Sequence, residues 1–308
     1  MLWAVTSYFN PVSYASRLSN YRIFRANLAV PLVVVELSLS GCFELRHDDA
    51  EIVVQIKGGD VLWQKERLLN VALGHLPEDC EHVAWLDCDV VFATPDWARR
   101  ANKALAEVPL IHLFRERCNL ARGAQSFFPP DRCSCDSTSE SVAYKMAMGT
   151  AQADDFRQSD APLARNSTVG LAWAARRDLL RISGFYDACI LGSGDRSMLC
   201  AAMGCFDYGI EAAGMRARQI EHYLAWARPF YRAVSGRVGF IEGRIFHLWH
   251  GTLENRRYGQ RLDGLSRFEF NPFTDIALDP SGSWRWNNGK KEMHEYVKNY
   301  FKSRHEDG

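Results

Sequence analysis

Three short segments hold most of the side chains that could do chemistry. Asp87-Cys88-Asp89 follows the apolar run Val83–Leu86. Side chains two apart on a strand share a face. Two carboxylates on one face of a buried strand repel each other and lose hydration. A divalent cation, or a metal–diphosphate ligand, offsets that cost, and ligands of open α/β sheets bind at the carboxyl ends of the strands. The plainer alternative is one carboxylate capping a turn and the other paired with an arginine. His247-Leu248-Trp249-His250 supplies two imidazoles three residues apart. On a strand end or turn both can meet one ion. Imidazole suits transition metals and carboxylate suits Mg and Mn, so a mixed Asp/His set points to Mn²⁺. The alternative is that His247 is a core histidine. Gly192-Ser193-Gly194-Asp195 precedes a helical pattern. Gly192 and Gly194 permit close approach of the backbone to a ligand. Asp195 is either a general base facing that cleft or a helix N-cap. Lys65 is either a phosphate-reaching cation or a solvated one.

These segments need a scaffold, and the hydrophobic pattern supplies one. Leu2–Thr6, Pro31–Leu37, Glu51–Ile56, Val83–Leu86 and Leu110–Phe114 read as strands, the second rich in β-branched residues. Asp60 is placed to cap a helix whose face carries Leu62, Leu69, Ala72 and Leu73. Trp97–Glu107 is an amphipathic helix. Thr168–Ala174 reads as a strand and Arg176–Ile182 as a helix closed by Gly184. Residues 195–203 form a helix closed by Gly204, and Arg244–Trp249 is a late strand. Strands alternating with helices imply βαβ units, hence an α/β fold with a mostly parallel sheet. No glycine-rich turn follows the first strand, which disfavours an ordinary dehydrogenase. Residues 115–165 show little periodicity and read as a long irregular loop, a candidate lid. We divide the chain into one catalytic domain over residues 1–255 and a C-terminal extension over 256–308. The extension carries Trp284-Arg285-Trp286 and Lys290-Lys291. This pattern allows at most peripheral membrane contact, and ordinary surface packing is the plainer reading.

The 308 residues contain 37 Lys+Arg and 37 Asp+Glu. That balance argues against a nucleic-acid partner, which needs a basic surplus. With 47% apolar and 24% charged residues, the chain is not mainly disordered, collagenous or coiled-coil. The nine cysteines are odd in number and several lie in apolar runs, so free thiols in a reducing compartment are expected rather than a disulfide framework. Cys133-Ser134-Cys135 is a weak metal hint with no second pair behind it. The N-terminus lacks a basic region and a cleavage site, and the longest apolar run, Leu28–Val35, is too short to span a bilayer. A cytoplasmic location is expected, with the sequon at Asn166 idle.

The order of the segments carries a resemblance. Thr6-Ser7-Tyr8-Phe9-Asn10 is followed by Trp63–Leu73 and then by Val83–Asp89. Gly170–Trp173, Arg177–Leu180, Gly184-Phe185 and Gly192–Asp195 come next, and His247–His250 closes the set. In this order the chain resembles GT-A-fold glycosyltransferases. It looks most like the β-1,4-galactosyltransferase group and related bacterial sugar-polymer synthases. The resemblance covers most of residues 1–260 in outline. It implies a Rossmann-like, mostly parallel sheet flanked by helices. It also implies inverting transfer of a sugar from a nucleotide diphosphate, a UDP-sugar, to a glycan or glycolipid acceptor, with Mn²⁺ or Mg²⁺. Carried over by motif, Asp89, His247 and His250 bind the metal. Asp87 lies near the ribose and donor sugar. Thr6, Ser7 and Tyr8 hold the nucleotide, and Lys65 and Asn70 belong to the donor-binding helix start. Asp195 deprotonates the acceptor hydroxyl. The sequence departs from the family where Asp195 is followed by Arg196 instead of the Trp-Gly-Gly-Glu-Asp type of segment. The membrane anchor of Golgi members is also missing, which points to a bacterial or viral type of enzyme. A retaining transferase or a non-catalytic nucleotide-sugar or glycan-binding module is the alternative.

Overall fold

The computed structural model describes residues 1–124, 135–151, 167–252 and 254–308. In chain order the strands are β1 (Leu2–Phe9), β2 (Leu32–Ser38), β3 (Ile52–Lys57), β4 (His82–Leu86) and β5 (Val90–Phe92). Then follow β6 (Leu110–His112), β7 (Glu116–Leu120), β8 (Cys135–Ser141), β9 (Ser167–Thr168) and β10 (Ala172–Arg176). The last four are β11 (Val238–Phe240), β12 (Arg244–His247), β13 (Ile276–Leu278) and β14 (Trp284–Trp286).

The central sheet has seven strands in the order β11-β6-β10-β4-β1-β2-β3. Every pairing in it is parallel except those of β10, which runs antiparallel to both β4 and β6. The fold is therefore α/β with a mostly parallel sheet. Burial follows the two-residue strand period. Val5, Val33, Val35 and Trp85 face one apolar cluster, and Ala4, Leu32, Val34 and Ala84 face the other. A strand covered on both sides needs apolar residues at consecutive positions, which is why β2 reads Leu-Val-Val-Val.

Three expectations are corrected. Residues 115–165 are not one irregular loop. They contain β7, β8 and the helix Val142–Ala147, whose first turn is capped by the Ser141 hydroxyl. These strands belong to a second sheet, β5-β12-β7-β8-β9, and residues 125–134 and 152–166 lie outside the described residues. β8 reads Cys-Asp-Ser-Thr-Ser-Glu-Ser, with too few apolar residues to show a period. The second correction is chemical. Cys118 and Cys135 form a disulfide, because pairing of β7 with β8 brings their Cα atoms to 5.4 Å. The six other described cysteines are free, and Cys133 and Asn166 lie outside the described residues. The third concerns Asp60. The helix it was expected to cap begins at Lys65 after Gln64. The Asp60 carboxylate instead accepts the Trp286 amide at 2.8 Å.

Residues 256–308 pack into the same core as the sheet. Met293, Val297, Tyr300 and Phe301, on the helix Lys291–Lys302, share a cluster with Val5 and Trp85. Gln64 clamps β14, donating to the Trp284 carbonyl at 2.7 Å and accepting its amide at 3.0 Å. The Trp284 indole donates to the Asp187 carbonyl, and Trp286 stacks on His294. Among the described residues, no helix is long and apolar enough to cross a membrane.

Candidate active site and metal centre

Asp87 and Asp89 lie just beyond the carboxyl end of β4. The turn is held on both sides: the Asp87 amide donates to the Leu171 carbonyl and the Leu248 amide donates to the Asp89 carbonyl, each at 2.8 Å. The two carboxylates then separate. Asp87 Oδ1 meets Lys65 Nζ at 2.6 Å, and the same ammonium reaches Asp195 Oδ2 at 3.0 Å. Lys65 opens the helix Lys65–Leu73, and Asp195 lies in the first turn of the helix Gly194–Met203. One lysine thus joins two carboxylates 108 positions apart in sequence (195 minus 87). Burial works against the Lys65 charge, but Asp195, Asp87 and Glu66 outweigh it and hold the ammonium well above the usual lysine range. Burial pushes the Asp195 carboxyl up, Lys65 opposes the shift, and Asp87 adds to it. The cap alternative for Asp195 is not what forms. Ser193 occupies the N-cap position and Asp195 gives its oxygen to Lys65.

Asp89 turns the other way, toward His247 and His250, and ligand atoms of the three lie within 4.8 Å of one another. His250 Nε2 is 3.1 Å from Asp89 Oδ2 and 3.1 Å from His247 Nε2, and His247 Nε2 is 3.8 Å from Asp89 Oδ1. Asn119 sets the His247 tautomer. Its amide nitrogen donates to Ser137 Oγ, so its oxygen accepts Nδ1–H of His247 at 2.9 Å. That leaves the Nε2 lone pair facing Asp89. Burial, with Arg256 adding to it, holds His250 down to about 3. Burial also holds His247 well below the usual range. Neutral imidazole is the ligating form. Burial and then Asp87 push Asp89 up to about 7. Asp89 Oδ1 is buried and accepts no hydrogen bond from a described residue. Two converging imidazole nitrogens and an orphaned buried carboxylate oxygen fit a divalent transition ion such as Mn²⁺, and fit Mg²⁺ less well. In this structure the Arg256 guanidinium stands 2.7 Å from His250 Nε2 and supplies the positive charge.

The remaining predicted residues are not gathered there. Thr6 is fully buried and donates to the Leu86 carbonyl at 2.6 Å, tying the end of β1 to the turn that carries Asp87. Ser7 lies next to it on β1, half-buried. Tyr8 is buried in the core, donating to Glu44 and packing edge-on against Tyr21. Asn70 bonds the Phe185 backbone and Asp187, latching its helix to the segment that leads to Gly192. Gly192 has φ +89°, and a Cβ there would come within 2.8 Å of the Arg261 guanidinium. Its bareness accommodates Arg261 rather than Asp195. A Cβ on Gly194 would fall 2.1 Å from Glu66 Oε1, and one on Gly170 would fall 2.6 Å from Asp195 Oδ2. Gly170 and Gly194 therefore leave the room in which these two acids sit.

No protein-family model matches the chain, and no curated protein matches it. Among solved structures, it is similar to S. aureus TarS residues 1–349 in complex with UDP-GlcNAc, with 11% identity and a TM-score of 0.41 over 98% of this chain and 72% of that one. It is also similar to glucosyl-3-phosphoglycerate synthase from Mycobacterium tuberculosis in complex with Mn²⁺, UDP and phosphoglyceric acid, with 13% identity and a TM-score of 0.42 over 94% and 87%. A third is the mannosyltransferase PcManGT from Pyrobaculum calidifontis in complex with GDP-Man and Mn²⁺, with 13% identity and a TM-score of 0.41 over 97% and 69%.

No sequence pattern marks the groups that surround the Asp89–His247–His250 cluster. Glu306, two residues from the last, is fully buried. It pairs with Arg17 at 2.7 Å and with Arg304, and lies 3.9 Å from His250 Nδ1. Asp307 accepts the Ala15 and Ser16 amides at 3.0 and 2.8 Å, capping the helix Ala15–Ala26. The tail thus fastens the first helix beside the Asp89–His247–His250 cluster, and a lone late Glu carries no sequence signal for that. Glu306→Ala strands the buried Arg304 guanidinium and takes an ion pair from the half-buried Arg17, and we expect it to cost about 3–5 kcal/mol. It should also weaken Mn²⁺ binding by ~10–100-fold. Urea denaturation and calorimetry check the two effects, and an unchanged midpoint would contradict the first.

Proposed function

We propose that the chain is a nucleotide-sugar glycosyltransferase. It moves a sugar from a nucleoside diphosphate donor, a UDP-sugar, to a hydroxyl of a glycan or glycolipid. The observation that carries this reading is the division of labour beyond β4. Asp89 joins a His/His cluster fit for a divalent ion, while Asp87 is linked through Lys65 to a second half-buried carboxylate, Asp195. A metal set and a candidate base on opposite sides of one turn suit a displacement in which an anionic leaving group departs and a hydroxyl loses its proton. The motif order shared with the β-1,4-galactosyltransferase group supports a UDP-sugar and inversion.

Asp89, His247 and His250 hold Mn²⁺ or Mg²⁺, which when bound neutralises charge on the leaving diphosphate. Asp87 borders the donor sugar. Lys65 keeps Asp87 and Asp195 together despite their like charge and offers an ammonium toward phosphate oxygens. Asp195 takes the acceptor proton as the new C–O bond forms and the bond to the diphosphate breaks. Its raised pKa makes it a better base at neutral pH than an exposed aspartate would be. The transition state has oxocarbenium character.

A thermal-shift screen of UDP-, GDP- and CMP-sugars with and without Mn²⁺ tests this. A UDP-sugar with Mn²⁺ should raise the melting temperature by more than the sum of the two alone, by mass action on the folded state. No response to any nucleotide in the presence of Mn²⁺ would sink the proposal. The anomeric configuration of the product, read by NMR, then decides inversion.

A further inference from the structure

Next to Asp195 lies a group the reaction above does not use. Glu66 follows Lys65 on the helix Lys65–Leu73 and is buried. Its carboxyl rests against the Cα of Gly194, where no side chain could fit. Glu66 and Asp195 line one small cavity of about 10 Å³, with apolar walls from Leu69, Trp85 and Met198. That is about the space of one water molecule. Tyr186 lines it too. It does so with its ring, while its hydroxyl is buried beside the Gln219 side chain. A water there has a carboxyl group on each of two sides, Glu66 and Asp195.

We propose that Glu66 and Asp195 border a site for a single buried water, through which a protonated Glu66 donates to Asp195 as a positioning residue for that carboxylate. The two carboxyl groups give the water two polar partners, within the range for an internal one. The charged and titratable groups facing Glu66 are Lys65 beside it, Asp87 beyond β4, Asp195 on the next helix, and Cys189 and Tyr186 on the segment before that helix. Burial, opposed by Lys65 and aided by Asp195 and Asp87, pushes the Glu66 carboxyl up to about 8, so it keeps its proton at neutral pH. A second ionised carboxylate here would repel Asp195, whereas a protonated one can hold it by a hydrogen bond.

The inference about Asp195 rests on the proposed function, but the water and the proton can be read without donor or acceptor. The infrared spectrum of the intact protein at pH 7 should contain a protonated-carboxyl band that Glu66→Gln removes and that titrates away with a midpoint near pH 8. A high-resolution crystal structure should show a water between Glu66 and Asp195. The sign of the stability effect follows from the raised pKa. The folded state binds the extra proton between about pH 4.3 and 8, so stability falls as pH rises through that window, and Glu66→Gln flattens the fall. Absence of the band would overturn the proposal. So would a dry cavity, even with the band present. In turnover, Glu66→Gln should lower kcat and leave the donor KM unchanged, and a rise in donor KM alone would overturn the positioning role. Loss of all transfer activity with band and water intact would instead count against the proposed function.

Discussion

Asp195→Asn is expected to lower transfer by ~10²-fold or more while donor binding stays intact. The substitution keeps shape and hydrogen-bonding capacity, so Lys65 still has an oxygen to donate to. What is lost is the ability to take a proton. Asp195 pairs with Lys65 and is not one of the Asp89–His247–His250 cluster, so Mn²⁺ and UDP should bind as before. The competing account makes Asp195 a counter-charge for Lys65 and nothing more. It predicts a change in stability with kcat preserved. Steady-state kinetics at saturating donor, with a parallel calorimetric titration of UDP and Mn²⁺, separates the two. Full activity in the variant would remove Asp195 from the chemistry.

Asp89→Ala should abolish metal-dependent UDP binding, an effect exceeding the ~10–100-fold typical of losing an outer partner of a metal ligand. Alanine leaves two neutral imidazoles next to the Arg256 guanidinium, a donor set that repels a cation. The variant should fold well without metal. Asp89 carries a buried oxygen without a hydrogen bond and a pKa pushed up to about 7, both signs that its charge is a burden in the metal-free chain. Loss of binding together with unchanged or greater stability is the signature of a ligand residue rather than a structural one. Metal-dependent UDP binding by the variant, measured by calorimetry, would overturn the metal role.

Much of the scaffold was legible. The helix Trp97–Glu107 has the bounds its pattern predicts, and the helix Gly194–Met203 with its left-handed Gly204 stop starts one residue earlier than read. Such elements bury one face, and a repeating face leaves a periodic trace. β8 escaped because it is held by pairing and a disulfide, and β7 because its buried face is only Cys118 and Leu120, too short to show a period. Asp87, Asp89, His247 and His250 stood out because charged and imidazole groups beside apolar strands are costly unless they are used. Tyr8 and Asn70 are placed by their position in a motif, and in the structure they make packing and latching contacts. Asp60 was given a capping role that the helix start at Lys65 leaves unused.

The sequence by itself determined the α/β class, the carboxylate pair beyond β4, and the imidazole pair beyond β12. Each is set by residues close together in the chain, where side-chain period and chemistry suffice. Only the tertiary structure decided which groups meet. It joined Lys65 to both Asp87 and Asp195, placed Glu66 against Gly194, and brought Glu306 from the chain end to His250. Those contacts span tens to hundreds of residues. They exist because burying the sheet, the helices and residues 256–308 in one core brings distant side chains together, and local sequence pattern carries no record of that.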